Sequence, residues 1–311
     1  MGICTRGRKA QLRHLLHALA QQSFPDIASY CLIIIDNNDA PTVTQADLGP
    51  MTAYPWHIVH QPTPGLVSAR NTLLEKAEEI DVDWQIGLDD DVVLEADWLA
   101  NFVALLSETT ADIIVGATRY TYPPEAHPIA SGNRVKPPVM GQPPKRKTTC
   151  NYAMARHVFD KDTGLGLRFD PYFNEMGGED VDLMVRAKRI HDLDVIGDPR
   201  PAVSEPQTGK RATLRHRLHL SAEAQVTTFR IKQRHKEIGI GANRLPMWAN
   251  VLLRTNRDFV YGLGDVAYGL CNLPFRRDLG WRHTGLGLLQ LARCVGSFQY
   301  LKGHIPKLYG Q

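Results

Sequence analysis

Three consecutive carboxylates, Asp89-Asp90-Asp91, close the apolar run Trp84-Gln85-Ile86-Gly87-Leu88, and about ninety residues later stands Gly177-Gly178-Glu179-Asp180. Three acids on one turn repel one another, so a folded chain gives them to solvent or to a cation. Hard divalent cations such as Mg²⁺ and Mn²⁺ take oxygen ligands and share their shell with substrate phosphates. The second acidic pair can supply a base. Together the two sites point to metal-assisted group transfer from a phosphate-bearing donor.

Other residues fit that chemistry less specifically. Asp36 ends the run Ile33-Ile34-Ile35, where an acid can accept hydrogen bonds from a nucleotide's base or ribose; Asp-Asn pairs are also ordinary turn formers. In Gly65-Leu66-Val67-Ser68-Ala69-Arg70-Asn71 a helix start exposes N–H groups, and Arg70 has the fork to grip a pyrophosphate. The bland reading is a capped helix with a surface arginine. Within the triplet, Asp91 is the expected metal ligand and Asp89 the ribose or second contact. Glu179 and Asp180 open a helix over Glu179–His191, where acids also serve as plain caps. His216 and His219, three apart on a helix, can share a metal but are more often surface residues of a basic helix.

These residues need elements to carry them. Strands are predicted at Gly2–Thr5, Cys31–Ile35, His57–His60, Trp84–Leu88 and Ile113–Ala117, with helices at Lys9–Gln22, Leu66–Glu79 and Ala96–Leu106. Strands spaced by such helices imply an α/β fold with a mainly parallel sheet, whose ligands bind beyond the carboxyl ends of the strands. Thr5, Asp36 and Asp89 all fall there. Tyr122–Lys147 is proline-rich and reads as a long loop over the site, ending in Lys145-Arg146-Lys147. Asp198–Gly209, with three prolines, reads as a weak spacer before a basic tail. There Leu214, Leu218, Ala222, Val226 and Phe229 mark a helix stripe, broken at Gly239–Pro246. Two further helices are expected near Met247–Leu270 and Leu286–Leu301, with the character of helices lying in a membrane interface.

Composition bounds the rest. The chain has 311 residues, which suits one large α/β domain, placed at 1–200, plus a basic helical region at 201–311. The net charge of +3 is the sum of two unlike parts. Residues 1–199 hold 18 Lys+Arg against 27 Asp+Glu (−9), and residues 200–311 hold 18 against 6 (+12). That asymmetry predicts an anionic partner for the tail. The five cysteines lack CxxC spacing, which speaks against a zinc site or a disulfide framework. The absence of a charged-then-apolar leader predicts a cytoplasmic protein, peripheral at the inner face of the cell membrane.

In this order and spacing the pieces resemble glycosyltransferase family 2, with its GT-A fold. They are Cys4-Thr5-Arg6-Gly7-Arg8, Ile35-Asp36-Asn37-Asn38, Gly65 with Ala69-Arg70-Asn71, Asp89-Asp90-Asp91, and Arg168-Phe169-Asp170 followed by Gly177-Gly178-Glu179-Asp180. They span roughly residues 1–200, and the tail is similar to that of bacterial exopolysaccharide-type members. Members usually carry a few more residues before the first strand, which bears on that strand's pairing and not on the site. The resemblance implies inverting transfer from a nucleoside-diphosphate sugar, with uridine the base, to a glycan or lipid-linked acceptor, assisted by Mg²⁺ or Mn²⁺. It implies that Thr5, Arg6, Asp36 and Arg70 hold the nucleotide with Asp89 and Asp90. Asp91 and Asp89 would bind metal, Asp180 would deprotonate the acceptor hydroxyl, and Glu179 would help to hold the acceptor.

Two rivals come from other classes. A sugar-nucleotide pyrophosphorylase needs a glycine-rich phosphate loop after the first strand, and Thr5-Arg6-Gly7-Arg8-Lys9 holds one glycine. A basic scaffold or nucleic-acid binder on a retired transferase domain would show eroded acidic motifs, and both are intact. Phe229 is the one aromatic within Leu214–Lys236, too few for base stacking, so no nucleic-acid partner is expected.

Overall fold

The computed structural model describes residues 1–26, 28–131, 136–240 and 245–306. Parts of two predicted features, residues 132–135 of the proline-rich stretch and 241–244 of the helix break, lie outside the described residues. The strands are β1 (Gly2–Thr5), β2 (Leu32–Asp36), β3 (Trp56–His60), β4 (Trp84–Asp89), β5 (Val93–Leu94), β6 (Ile113–Thr121), β7 (Asn151–Ala155) and β8 (Val195–Pro206). The helices are α1 (Lys9–Ala20), α2 (Leu66–Glu79), α3 (Trp98–Glu108), α4 (Pro128–Ser131), α5 (Arg156–Phe159), α6 (Glu179–His191), α7 (Leu214–Glu237), α8 (Met247–Asn272) and α9 (Arg277–Leu301).

The strands form one sheet in the order β3-β2-β1-β4-β7-β6-β8-β5. The first four run parallel, and every residue of β2 is buried, as a strand covered on both faces requires. Beyond β4 the sheet turns antiparallel, through β4 with β7, β6 with β7 and β5 with β8. The core gathers Leu12, Leu15, Leu16 and Leu19 from α1 and Trp98, Leu99 and Phe102 from α3 against Ile3, Leu32, Ile34 and Ile86 of the sheet. A glycine at 87 is required by this packing, because a Cβ there would overlap the ring of Tyr152 on the neighbouring strand.

One expectation is corrected. The proline-bearing stretch after Asp198 is no spacer but most of β8, the longest strand at 12 residues. Proline has no N–H for a ladder, and a side chain supplies donors instead. The Asn151 amide donates to the carbonyls of Ala117 (3.0 Å) and Pro201 (2.9 Å), while its oxygen accepts from Trp98 Nε1 (2.9 Å). Asn151 is fully buried.

By packing, Met1–Arg119 with Lys136–Pro206 forms one compact unit, and the described residues among 120–135 and 207–307 form another. The second is helical. Thr213 caps α7 by accepting from the His216 N–H (3.3 Å), and Ser221 of α7 donates to the Leu289 carbonyl of α9 (2.8 Å). The third tail helix starts earlier than its apolar stripe suggests, at Arg277.

Candidate active site

Three adjacent parallel strands end in Asp36, Thr5 and Asp89, with Thr5 in register with Asp36 and Cys4 with Asp89. The carboxyl ends of these strands therefore bring Thr5, Asp36 and Asp89 together without help from any loop. Thr5 is buried and donates its hydroxyl to Asp90 Oδ2 at 2.7 Å. Arg8, on the loop after β1, places one guanidinium nitrogen 3.0 Å from Asp90 Oδ1 and 3.0 Å from Asp91 Oδ2.

Arg70 joins the two acidic motifs. Only 6% exposed, it lies on α2 with Nη1 2.5 Å from Glu179 Oε1 and Nη2 3.2 Å from Asp89 Oδ1, and its guanidinium stacks over Phe169. Its two Nη nitrogens reach the two carboxylates separately, through a planar fork that the compact lysine ammonium lacks. Glu179 is 2% exposed and Asp180 follows it at the N-terminus of α6, where Gly178 takes a left-handed φ of 95°. Asp180 accepts from the Val181 N–H at 2.7 Å.

Burial dominates the electrostatics. It raises the Asp180 carboxyl to about 7, the neighbouring Glu179 charge adds to the rise, and Arg70 and Arg146 oppose it. Asp90 is pushed up to about 6 by burial, against the Thr5 hydroxyl and the Arg8 cation. Asp89 is also raised, by burial and by Asp91, with Arg70 pulling the other way. A carboxyl near 7 at a crevice is poised to exchange a proton at neutral pH.

Asp36 behaves differently. It is 1% exposed and accepts from the N–H groups of Thr42 (2.5 Å) and Val43 (2.7 Å) and from the Asn38 amide (2.6 Å). Burial alone would raise its carboxyl, but the Val43 and Thr42 bonds outweigh that and hold it low. Asp36 thus shapes the loop it begins. Arg6 braces the same loop through the Asn37 carbonyl (2.5 Å) and Asp39 (3.0 Å). Asn37 then donates to the carbonyls of Gln61 and Thr63 and accepts from the Gly65 N–H. At the start of α2, the Ser68 N–H meets Asn174 Oδ1 (3.1 Å), and Gly65 has a φ of 124° that a side chain would strain. His216 and His219 belong to no three-membered cluster of metal-ligating side chains among the described residues.

Sequence reasoning passed over Arg8 and Arg146 as site residues. Arg8 carried a signal, since a cation three residues past Thr5 on the same loop lies within reach of the triplet. Arg146 carried none beyond its basic run.

The model for the family described as "Glycosyl transferase family 2" matches residues 2–173, more than half of the chain. The chain belongs to that family and is a glycosyltransferase. A curated relative agrees: succinoglycan biosynthesis protein ExoM of Rhizobium meliloti (strain 1021) is 30% identical over 219 residues, 69% of this chain and 68% of that protein. Among solved structures, S. aureus TarS 1-349 in complex with UDP matches with a TM-score of 0.50 and 13% identity, over 97% of this chain and 90% of that one. The mannosyltransferase PcManGT from Pyrobaculum calidifontis, solved with GDP-Man and Mn²⁺, matches with a TM-score of 0.55 and 14% identity, over 96% and 86%. At these identities the structures share the fold alone, and it is the GT-A fold that the family-2 motifs imply. The family match ends at Phe173, before Glu179 and Asp180.

Proposed function

We propose that this family-2 enzyme transfers a sugar, with inversion, from a nucleoside-diphosphate sugar to a hydroxyl of a glycan or lipid-linked acceptor in polysaccharide biosynthesis. The observation that carries the reading is the Glu179–Arg70–Asp89 chain, which ties a base-bearing helix start to the acidic triplet. ExoM's name supports the polysaccharide context. The UDP and UDP-GlcNAc complexes of TarS support a uridine donor, with GDP-Man in PcManGT the alternative.

In this mechanism Asp180 takes the proton of the acceptor hydroxyl as the oxygen attacks the anomeric carbon from behind the leaving diphosphate. Glu179, fixed by Arg70, orients the acceptor, and burial, then the Glu179 charge, brings the Asp180 carboxyl within titrating range of neutral pH. Thr5 and Arg8 hold Asp90 and Asp91 toward the crevice. The donor set suits a hard divalent cation. Asp91 and Asp89 would supply oxygen ligands, and the Arg8 nitrogen shared between Asp90 and Asp91 marks a position that attracts positive charge. No cluster of three or more His, Cys, Asp or Glu side chains suited to a metal occurs among the described residues. Two carboxylates with donor phosphates and water are the set that Mg²⁺ or Mn²⁺ commonly accepts. When bound, the ion would offset charge on the departing diphosphate.

The test is Asp180→Asn. It should abolish transfer to acceptor while calorimetry with the sugar nucleotide gives an unchanged affinity. Transfer near the wild-type rate removes Asp180 from the base role.

A further inference from the structure

The α8–α9 helix pair is built inside out. The residues of α8 turned away from solvent are Asn250, Val251, Asp258, Gly262 and Gly269. Trp248, Leu252, Phe259, Leu263 and Leu270 are instead between 48% and 66% exposed. Their spacings of four, seven, four and seven residues put them on one face. At about 1.5 Å per residue, that face runs roughly 33 Å. Leu253 and Val260, equally exposed, widen it. No acid interrupts it, since Asp258 is buried and Asp265 pairs with His283 at 2.8 Å.

The inner contact is glycine against glycine. A Cβ on Gly287 would lie 2.5 Å from the Gly262 carbonyl, and one on Gly269 2.5 Å from the Thr284 nitrogen. Small residues inward and large apolar ones outward is how helices pack in lipid, whereas a helix facing water shows the reverse. No described helix is long and apolar enough to cross a membrane. The face therefore suits the bilayer boundary.

Charge selects the kind of bilayer. Lys232 of α7 has its ammonium depressed by burial and then by Arg254 and Arg257. Arg254 is depressed by burial, then by Arg257 and Arg293, with Asp258 opposing. At the α8–α9 corner Phe275 is 83% exposed and is followed directly by Arg276 and Arg277, both exposed. An aromatic wedge beside two arginines, in a region of net charge +12, complements an anionic headgroup layer.

We propose that the outward face of α8, continued by Phe275, Arg276 and Arg277, is a docking surface for an anionic lipid bilayer. The helix lies in the plane of the membrane, its apolar side chains at the acyl boundary and its arginines among the phosphates. This stands apart from the catalytic reading, since it uses none of the residues of the crevice.

Flotation of the full chain with phosphatidylcholine vesicles, with and without phosphatidylglycerol, tests it. Binding should require phosphatidylglycerol and weaken with salt. The double substitution Leu252→Glu with Phe259→Glu should lower partitioning by about tenfold or more. Arg276→Glu with Arg277→Glu should cost about tenfold on the anionic vesicles. All four positions are exposed, and an unchanged thermal melt shows that each variant is folded. Brominated acyl chains should quench the fluorescence of Trp248, read as the difference from Trp248→Phe. Equal partitioning of wild type and Leu252→Glu/Phe259→Glu overturns the proposal. So does a chain that ignores vesicles but forms a dimer which the same variant splits, for then the face belongs to a second copy.

Discussion

Replacing Arg70 by methionine would leave Glu179, 2% exposed, without the cation now 2.5 Å from its Oε1. Removing one partner of a buried ion pair costs about 3–5 kcal/mol, whereas replacing both with apolar groups is close to neutral. The contact with Asp89 at 3.2 Å adds little, because that carboxylate is partly open to water and such pairs contribute about 1 kcal/mol or less. Arg70→Met should therefore lower the folded-to-unfolded ratio by roughly two to three and a half orders of magnitude. Glu179→Met in the same chain should recover most of that loss. Arg70→Lys should fall between, keeping the charge but not the fork. Urea unfolding of the wild type, the two single variants and the double variant, followed by tryptophan fluorescence, closes the cycle. A coupling of about 2 kcal/mol or more is expected. A cost under about 1 kcal/mol for Arg70→Met, or a second full loss on adding Glu179→Met, would refute the claim that this pair is a buried tie.

Four other outcomes follow from the structure. The transfer rate should rise with pH through about 7 as Asp180 loses its proton. Because folding raises this carboxyl, wild-type stability should fall from about pH 4 to about pH 7 and level off above; Asp180→Asn should lack that contribution, so identical melting-temperature slopes for the two chains would remove the raised carboxyl. Asn151→Leu forfeits bonds to Trp98, Ala117 and Pro201 and should cost about 3 kcal/mol or more in urea unfolding; a loss below about 1 kcal/mol would mean the seam at β8 is held otherwise. In calorimetry with UDP, Mn²⁺ should strengthen binding to the wild type and make no difference to Asp91→Ala; equal enhancement in both would take Asp91 out of the metal shell.

The parallel half of the sheet was legible because its signals are local. Gly2–Thr5 and Leu66–Glu79 fall where hydrophobic runs and a glycine before a helix put them. The crevice residues were legible for the same reason, since strand ends can be read from where apolar runs stop. In the antiparallel half only Ile113–Ala117 was legible. Asn151–Ala155 is short, and the prolines of Val195–Pro206 argue against a strand until the Asn151 amide is known to fill the gap, a fact no local window contains. A helix-start arginine suits a phosphate, and that is all the local sequence says of Arg70. Its partner Glu179 lies 109 residues away, beyond what spacing conveys. The local sequence places Asp36 at a strand end, where it sits; that its carboxylate bonds back to Thr42 and Val43 depends on how the following loop folds.

The distances along the chain between these partners also say when the crevice can form. Thr5 meets Asp90 across 85 residues, and Arg70 meets Glu179 across 109. Each doubling of a closed loop adds only about 0.6 kcal/mol, so such closures are slow to find rather than expensive to keep. During synthesis the strands β1 to β4 leave the ribosome long before α6. For that interval Arg70 has no Glu179 to hold, and three aspartates crowd one turn without the tie that later links Asp89 to Glu179. The Arg70–Glu179 contact therefore cannot form until the start of α6 has been made.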